Sequence, residues 1–144
     1  MSLEEEIAKA IRSHERWKGK LCASIKSGTV GADAFDVGKD NICDFGRWLY
    51  GSTIPSDARY DPNYIIVRFL HSNFHECAAK VVYLLSEGRK AEASALMVGN
   101  GEYTMISDQL TATMVEWKDS VHKARAEKLL HRPKARRSMQ TVVH

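Results

Sequence analysis

Apolar side chains recur every three or four residues along this 144-residue chain, and no stretch shows the strict alternation of a half-buried strand. The first helical stripe, over residues 4–27, runs through Ile7, Ala10, Ile11, His14, Trp17, Leu21 and Ile25, and Ser27-Gly28 supplies its stop. A loop through Gly28 and Gly31 leads to a second helix over residues 32–50, with Asp33 as its N-cap. Residues 51–61 have loop composition. Asp61-Pro62 then provides an N-cap and a first-turn proline for a third helix, which reaches Ser86 and is closed by Gly88. A short fourth helix, residues 89–98, ends before Gly99-Asn100-Gly101. The last helix starts at Glu102 and carries the seam Tyr103, Ile106, Leu110, Met114, Trp117, Val121 and Ala124. It fades near His131, and Pro133 is expected to end it. Four long helices and one short one, joined by short loops, predict an all-α fold: an antiparallel four-helix bundle with one additional short helix.

The length suits one domain with a core that needs no disulfide staples. No apolar run approaches the ~18 residues of a membrane span. The N-terminal Glu4-Glu5-Glu6 is acidic where a signal peptide would be basic, so export is not expected. Three cysteines, Cys22, Cys43 and Cys77, are an odd number for a disulfide framework and point to a reducing, cytoplasmic setting. The net charge of +3 is uneven: residues 118–144 hold eight Lys or Arg against two acids. That leaves residues 1–117 net acidic. The expected division is therefore a domain over 1–131 and a basic tail or linker over 132–144. No aromatic residues interleave with the tail's charges as base stacking requires, so nucleic acid is not an expected partner.

Chemistry concentrates in Arg68-Phe69-Leu70-His71-Ser72-Asn73-Phe74-His75-Glu76-Cys77-Ala78. At i and i+4 on a helix, His71 and His75 lie one turn apart, with Cβ atoms roughly 5–6 Å from each other, so both imidazoles can reach one metal ion. Val67, Phe74, Ala78, Val81 and Leu85 share their face, which turns the pair toward a core. His14 sits in the first helix's apolar stripe. Cys43 shares a face of the second helix with Gly46, a glycine that costs about 1 kcal/mol and is expected to let a neighbouring helix approach. Imidazole nitrogen with thiolate sulfur suits zinc, which takes four such ligands in a tetrahedron. A His-x-x-x-His pair also occurs in helices that hold no metal, so spacing alone leaves both readings open. Asp40 and Asp44 flank Cys43 and are candidates to orient a ligand histidine, although solvated aspartates on a helix face are the more ordinary reading. Cys22 and Cys77 are candidates for a resolving thiol, but the ordinary expectation is that both are buried small residues. The three letters Asp44-Phe45-Gly46 match a kinase magnesium motif by chance, because no glycine-rich or catalytic loop accompanies them.

Taken together, His14 with Trp17 and Leu21, Cys43-Asp44-Phe45-Gly46-Arg47-Trp48-Leu49, and His71-Ser72-Asn73-Phe74-His75 resemble the chemoreceptor zinc-binding (CZB) domain family. Gly88, Ala91, Ala93, Met97, Gly101, Tyr103 and Ser107 extend the resemblance, which covers residues 7–115. The resemblance implies a helical sensory domain that holds zinc through His14, Cys43, His71 and His75, forms a homodimer, and serves bacterial chemoreceptors or cyclic-di-GMP signalling. It implies a response to zinc availability or thiol oxidation and no catalytic residues. The chain departs from the family's usual setting in carrying no methyl-accepting hairpin and no cyclase domain, so the output partner is unassigned. Three rivals stand beside it. One is a metal hydrolase with His14, His71 and His75 as ligands and Glu76 as base, although Glu76 lies about 100° around the helix from His75. Another is a hemerythrin-like di-iron protein, which needs core carboxylates and a Glu-x-x-His pattern that is absent. The third is a metal-free helical interaction module.

Overall fold

The computed structural model describes residues 2–28, 37–39 and 43–143, with side chains as far as residue 130. Among the described residues the chain is all-helical, with five α-helices and one 3-10 turn. Helix α1, Leu3–Ser27, begins and ends as its sequence predicts. Ser2 and Glu5 form a reciprocal capping box: each side chain accepts the other's backbone N–H at 3.2 Å. Gly28 closes the helix in the left-handed region (φ 70), where its N–H donates to the Ser24 carbonyl at 3.0 Å.

Helix α2, Asp44–Tyr50, is shorter than the second helix expected over 32–50. Cys43 has extended backbone (φ −76, ψ 159), so no helix passes through it. It acts instead as the N-cap, with its sulfur accepting the Gly46 N–H at 3.1 Å. Residues 29–36 and 40–42, including Asp33 and Asp40, lie outside the described residues.

The expected loop before the third long run contains a 3-10 turn, Asp57–Tyr60. Helix α3, Pro62–Ser86, is capped by the Asp61 carboxylate, which accepts the Asn63 N–H at 2.8 Å. It ends in a Schellman motif. Gly88 (φ 73) donates to the Leu85 carbonyl at 3.0 Å, and Arg89 donates to the Leu84 carbonyl at 2.8 Å. Helix α4 spans Lys90–Leu96.

Helix α5, Glu102–Val143, overruns its expected end and continues through Pro133. A proline inside a helix removes one donor, here the partner of the Leu129 carbonyl, and crowds the preceding turn. That kinks a helix but does not oblige it to stop.

Helix α3 lies along α5 and also contacts α4, while α1 packs on α5 and carries α2 against it. The core-facing side of α3 is the expected one, since Val67, His71, Phe74, His75, Ala78, Val81 and Leu85 are all buried. Phe74 meets the rings of His14, Trp17 and Tyr103 at centroid distances of 4.5, 5.5 and 5.1 Å. Trp117 is fully buried between Trp48 and Tyr64, and the Tyr64 hydroxyl donates to the Leu49 carbonyl at 2.9 Å. That bond ties the start of α3 to the end of α2. Cys77 is buried as expected, but Cys22 is exposed. Position 22 is one residue beyond Leu21, hence about 100° around α1 from its buried stripe.

Candidate metal centre

Two local decisions bring the donors together. Helix α3 is long enough to present His71 and His75 from successive turns of one buried face. The chain's entry into α2 puts Cys43 at an N-cap, where its side chain points back over the first turn and not away along a helix face. The result is a triangle of donor atoms. Cys43 Sγ lies 3.5 Å from His71 Nε2 and 3.4 Å from His75 Nε2, and the two nitrogens are 3.1 Å apart. Among the described residues this is the one cluster of three metal-capable side chains.

These edges can be tested against a zinc ion. Bonds of about 2.0–2.1 Å to nitrogen and about 2.3 Å to sulfur, at tetrahedral angles, put two nitrogens about 3.3 Å apart and a nitrogen and sulfur about 3.6 Å apart. The observed triangle is close to one face of that tetrahedron. Protonation states favour the same occupant. His75 Nδ1 sits 2.7 Å from the Val37 carbonyl, which can only accept, so the ring proton is on Nδ1 and Nε2 turns a lone pair to the cluster. Cys43 Sγ already accepts the Gly46 N–H. A cation satisfies these converging acceptors together. Cys43, His71 and His75 are thus positioned to hold a metal ion.

Burial keeps the His71 and His14 rings neutral. It holds His71 down at about 3, helped by repulsion from His75 and His14. It holds His14 at about 4, with Lys18 and His75 acting in the same direction. The Phe45 ring stacks on His71 at 4.4 Å and 21°, and Trp17 lies 5.6 Å from His75, so the rings are walled by aromatics. His71 Nδ1 is buried without a hydrogen-bond partner.

His14 is buried, as its place in the apolar stripe implies, and it lines the same cleft as the triangle. It is not a corner of the triangle: its Nε2 lies 3.1 Å from Ser107 Oγ on α5. The cleft, about 410 Å³, is edged by Arg16, Lys20, Arg47 and Asp44. Asp44, a candidate to orient a ligand, therefore sits at its wall, while Asp40 falls outside the described residues. Glu76, the base required by the hydrolase reading, is exposed.

Two participants have no role that the motifs assign. The Val37 contribution is a backbone carbonyl, for which no side-chain signal exists. Ser107 did carry a signal, since it is a hydroxyl inside the apolar seam of Tyr103, Ile106, Leu110 and Met114.

Residues 14–82 match the family model described as the chemoreceptor zinc-binding domain. No curated protein and no solved structure matches the chain. The matched stretch opens on His14 and contains all three corners of the donor triangle, Cys43, His71 and His75. The segment from His14 to Val82 is thus similar to the chemoreceptor zinc-binding domain family.

Proposed function

We propose that the protein is a zinc-dependent sensory module of bacterial signalling, with His14, Cys43, His71 and His75 as the four ligands in an antiparallel four-helix bundle. The observation that carries this reading is the Cys43–His71–His75 triangle, with edges of 3.1–3.5 Å, inside a segment that matches a zinc-binding family. His14 is included because it is buried beside the triangle and opens the matched segment.

Bound zinc supplies a crosslink between helices, and structural sites of this kind reach roughly 10–16 kcal/mol in small peptides. Four protein ligands leave no open position for a substrate, and Glu76 faces solvent, so the reading is regulatory and not hydrolytic. Cys43 is the exchangeable ligand. Its thiolate is the most oxidisable donor of the set; a two-electron oxidant such as hypochlorous acid converts it to the sulfenic acid and is itself reduced. Because Cys43 also caps α2, losing its sulfur from the site frees the start of that helix. Falling zinc acts on the same contact. The state change arises from the difference in zinc affinity between two helix arrangements, not from total affinity.

The remaining parts of the proposal follow the same logic. Residues 1–131 form the sensory domain, and the basic stretch 132–144 serves as a linker toward the output. A homodimer is supported by Ile65, Ile66 and Phe69, large apolar residues exposed on α3. A cytoplasmic setting agrees with three cysteines outside any disulfide. Among the described residues no helix is long and apolar enough to cross a membrane.

Elemental analysis of protein purified without added metal is expected to give one zinc per chain. His71→Ala and His75→Ala should each weaken zinc binding at least a hundredfold. Cys43→Ser should bind more weakly and lose the change in helix arrangement, followed by limited proteolysis, that chelation or oxidant produces in the unaltered protein. Zinc-free protein, or an unaltered response in Cys43→Ser, would overturn the corresponding part of the reading.

A further inference from the structure

The geometry points to Ser107 as the residue that positions His14 for the metal: His14 ligates through Nδ1 while its Nε2–H donates to Ser107 Oγ. This rests on His14 being a zinc ligand, as proposed above.

The argument starts from the two nitrogens of one ring. His14 Nε2 is 3.1 Å from Ser107 Oγ, with both residues buried, at 4% and 0% exposure. A ring nitrogen that carries a proton has no lone pair for a metal, and which nitrogen ligates is set by the hydrogen bond the other makes. A ligand imidazole carries a single proton, and a proton on Nε2, donated to Ser107 Oγ, leaves Nδ1 as the donor. His75 shows the same division of labour with the atoms exchanged. Its Nδ1 is engaged by the Val37 carbonyl, and its Nε2 is the corner of the triangle. In His75 one nitrogen serves the cluster and the other the protein, and the bond to Ser107 leaves His14 Nδ1 for the same use.

The identity of residue 107 supports the assignment. It occupies the buried seam of α5 among Tyr103, Leu110 and Met114, each fully buried. A buried hydroxyl costs stability unless it is paired, and alanine would fit such a seam without that cost. The partner Ser107 has is His14, 93 residues away on another helix.

The consequence concerns transmission. The triangle draws on Cys43 at the start of α2 and on two residues of α3, none of them on α5. Through His14 and Ser107 the metal gains a hold on α5, the helix that continues to Val143. Drawing His14 toward the triangle pulls on α5 through its bond to Ser107.

The test uses the full chain, with zinc as the only added ligand. Zinc affinity is measured by competition with a chromophoric chelator for the unaltered protein, His14→Ala, Ser107→Ala and Ser107→Thr. Long-range proton–nitrogen-15 correlation spectra of the zinc-loaded unaltered protein identify which nitrogen of His14 is metal-bound. Ser107→Ala is expected to weaken zinc about 10–100-fold, the usual cost of losing the partner of a ligand histidine. Ser107→Thr, which keeps the hydroxyl, should restore most of that loss, and His14 should be metal-bound at Nδ1. Unaltered zinc affinity in Ser107→Ala, or metal on Nε2, overturns the proposal while leaving His14 a ligand. Unaltered affinity in His14→Ala removes the parent reading and this inference with it. Should either Ser107 variant fail to fold in chelator, the nitrogen assignment in the unaltered protein decides alone.

Discussion

His71 shows at the scale of one residue how burial keeps a metal-capable imidazole neutral. With its ionisation held down to about 3, and His14's to about 4, both rings are neutral at neutral pH and keep a lone pair available. The same displacement makes stability pH-dependent. An unfolded chain titrates its histidines near 6.5, so between that pH and about 4 the unfolded state takes up protons that the folded state refuses. Stability is complete above about 6.5 and falls as pH drops, with a slope approaching about 1.4 kcal/mol per unit for each such histidine. We expect the urea midpoint of zinc-free protein to fall between pH 7 and pH 5, a range that ends before most carboxylates titrate. His71→Gln, which removes the titrating group, should reduce that fall. A midpoint unchanged over this range would mean the rings are not buried as neutral species. Zinc affinity should decline over the same interval, because protons compete for the same nitrogens.

At the scale of an element, the limits of each helix show which signals act locally. Ser2 with Glu5, Gly28, Asp61 with Pro62, and Gly88 are readable because a cap satisfies backbone groups within four or five residues of itself. Gly88 offers a clean test. A Cβ added there meets nothing within 4 Å, so the only obstacle is its φ of 73. Gly88→Ala should therefore cost about 1 kcal/mol in a denaturant titration, the penalty of left-handed backbone for a residue with a side chain. Gly99→Ala, equally unhindered and without positive φ, should stay within about 0.5 kcal/mol of the unaltered protein. Helix α2 departs from its sequence expectation for the opposite reason. Its start depends on where the Cys43 sulfur goes, and that sulfur lies against His71 and His75, 28 and 32 positions along the chain. No local pattern carries that information. The end of α5 departs from its expectation because a proline's cost is local, while its effect on a helix depends on what holds the two halves.

For the whole molecule, the site lies where separate helices meet. Zinc that binds the folded chain and not the unfolded one raises stability by about 4 kcal/mol at a free concentration a thousand times its Kd. For a chain of this length that corresponds to a rise in Tm of roughly 10 °C. Calorimetry with and without a chelator measures it, and coincident Tm values would show that no metal stabilises the folded state. The Glu4 carboxylate, which lies 2.9 Å from His122 Nδ1 and 3.3 Å from an Arg125 nitrogen, adds a second tie between α1 and α5 far from the site. It is exposed at one side, so its contribution is small and salt-sensitive.

The sequence by itself determined that the chain is helical, where most helices start and stop, which face of α3 is buried, and that Cys43, His71 and His75 are metal-capable. Periodicity, caps and donor chemistry are properties of neighbours in the chain, and these conclusions need nothing else. Only the tertiary structure decided that Cys43 ends an extended segment as an N-cap and does not ride a helix face. It also decided that the Val37 carbonyl selects the tautomer of His75, and that His14 Nε2 faces Ser107. Each of these depends on distances between residues tens of positions apart, which packing sets and local sequence does not encode.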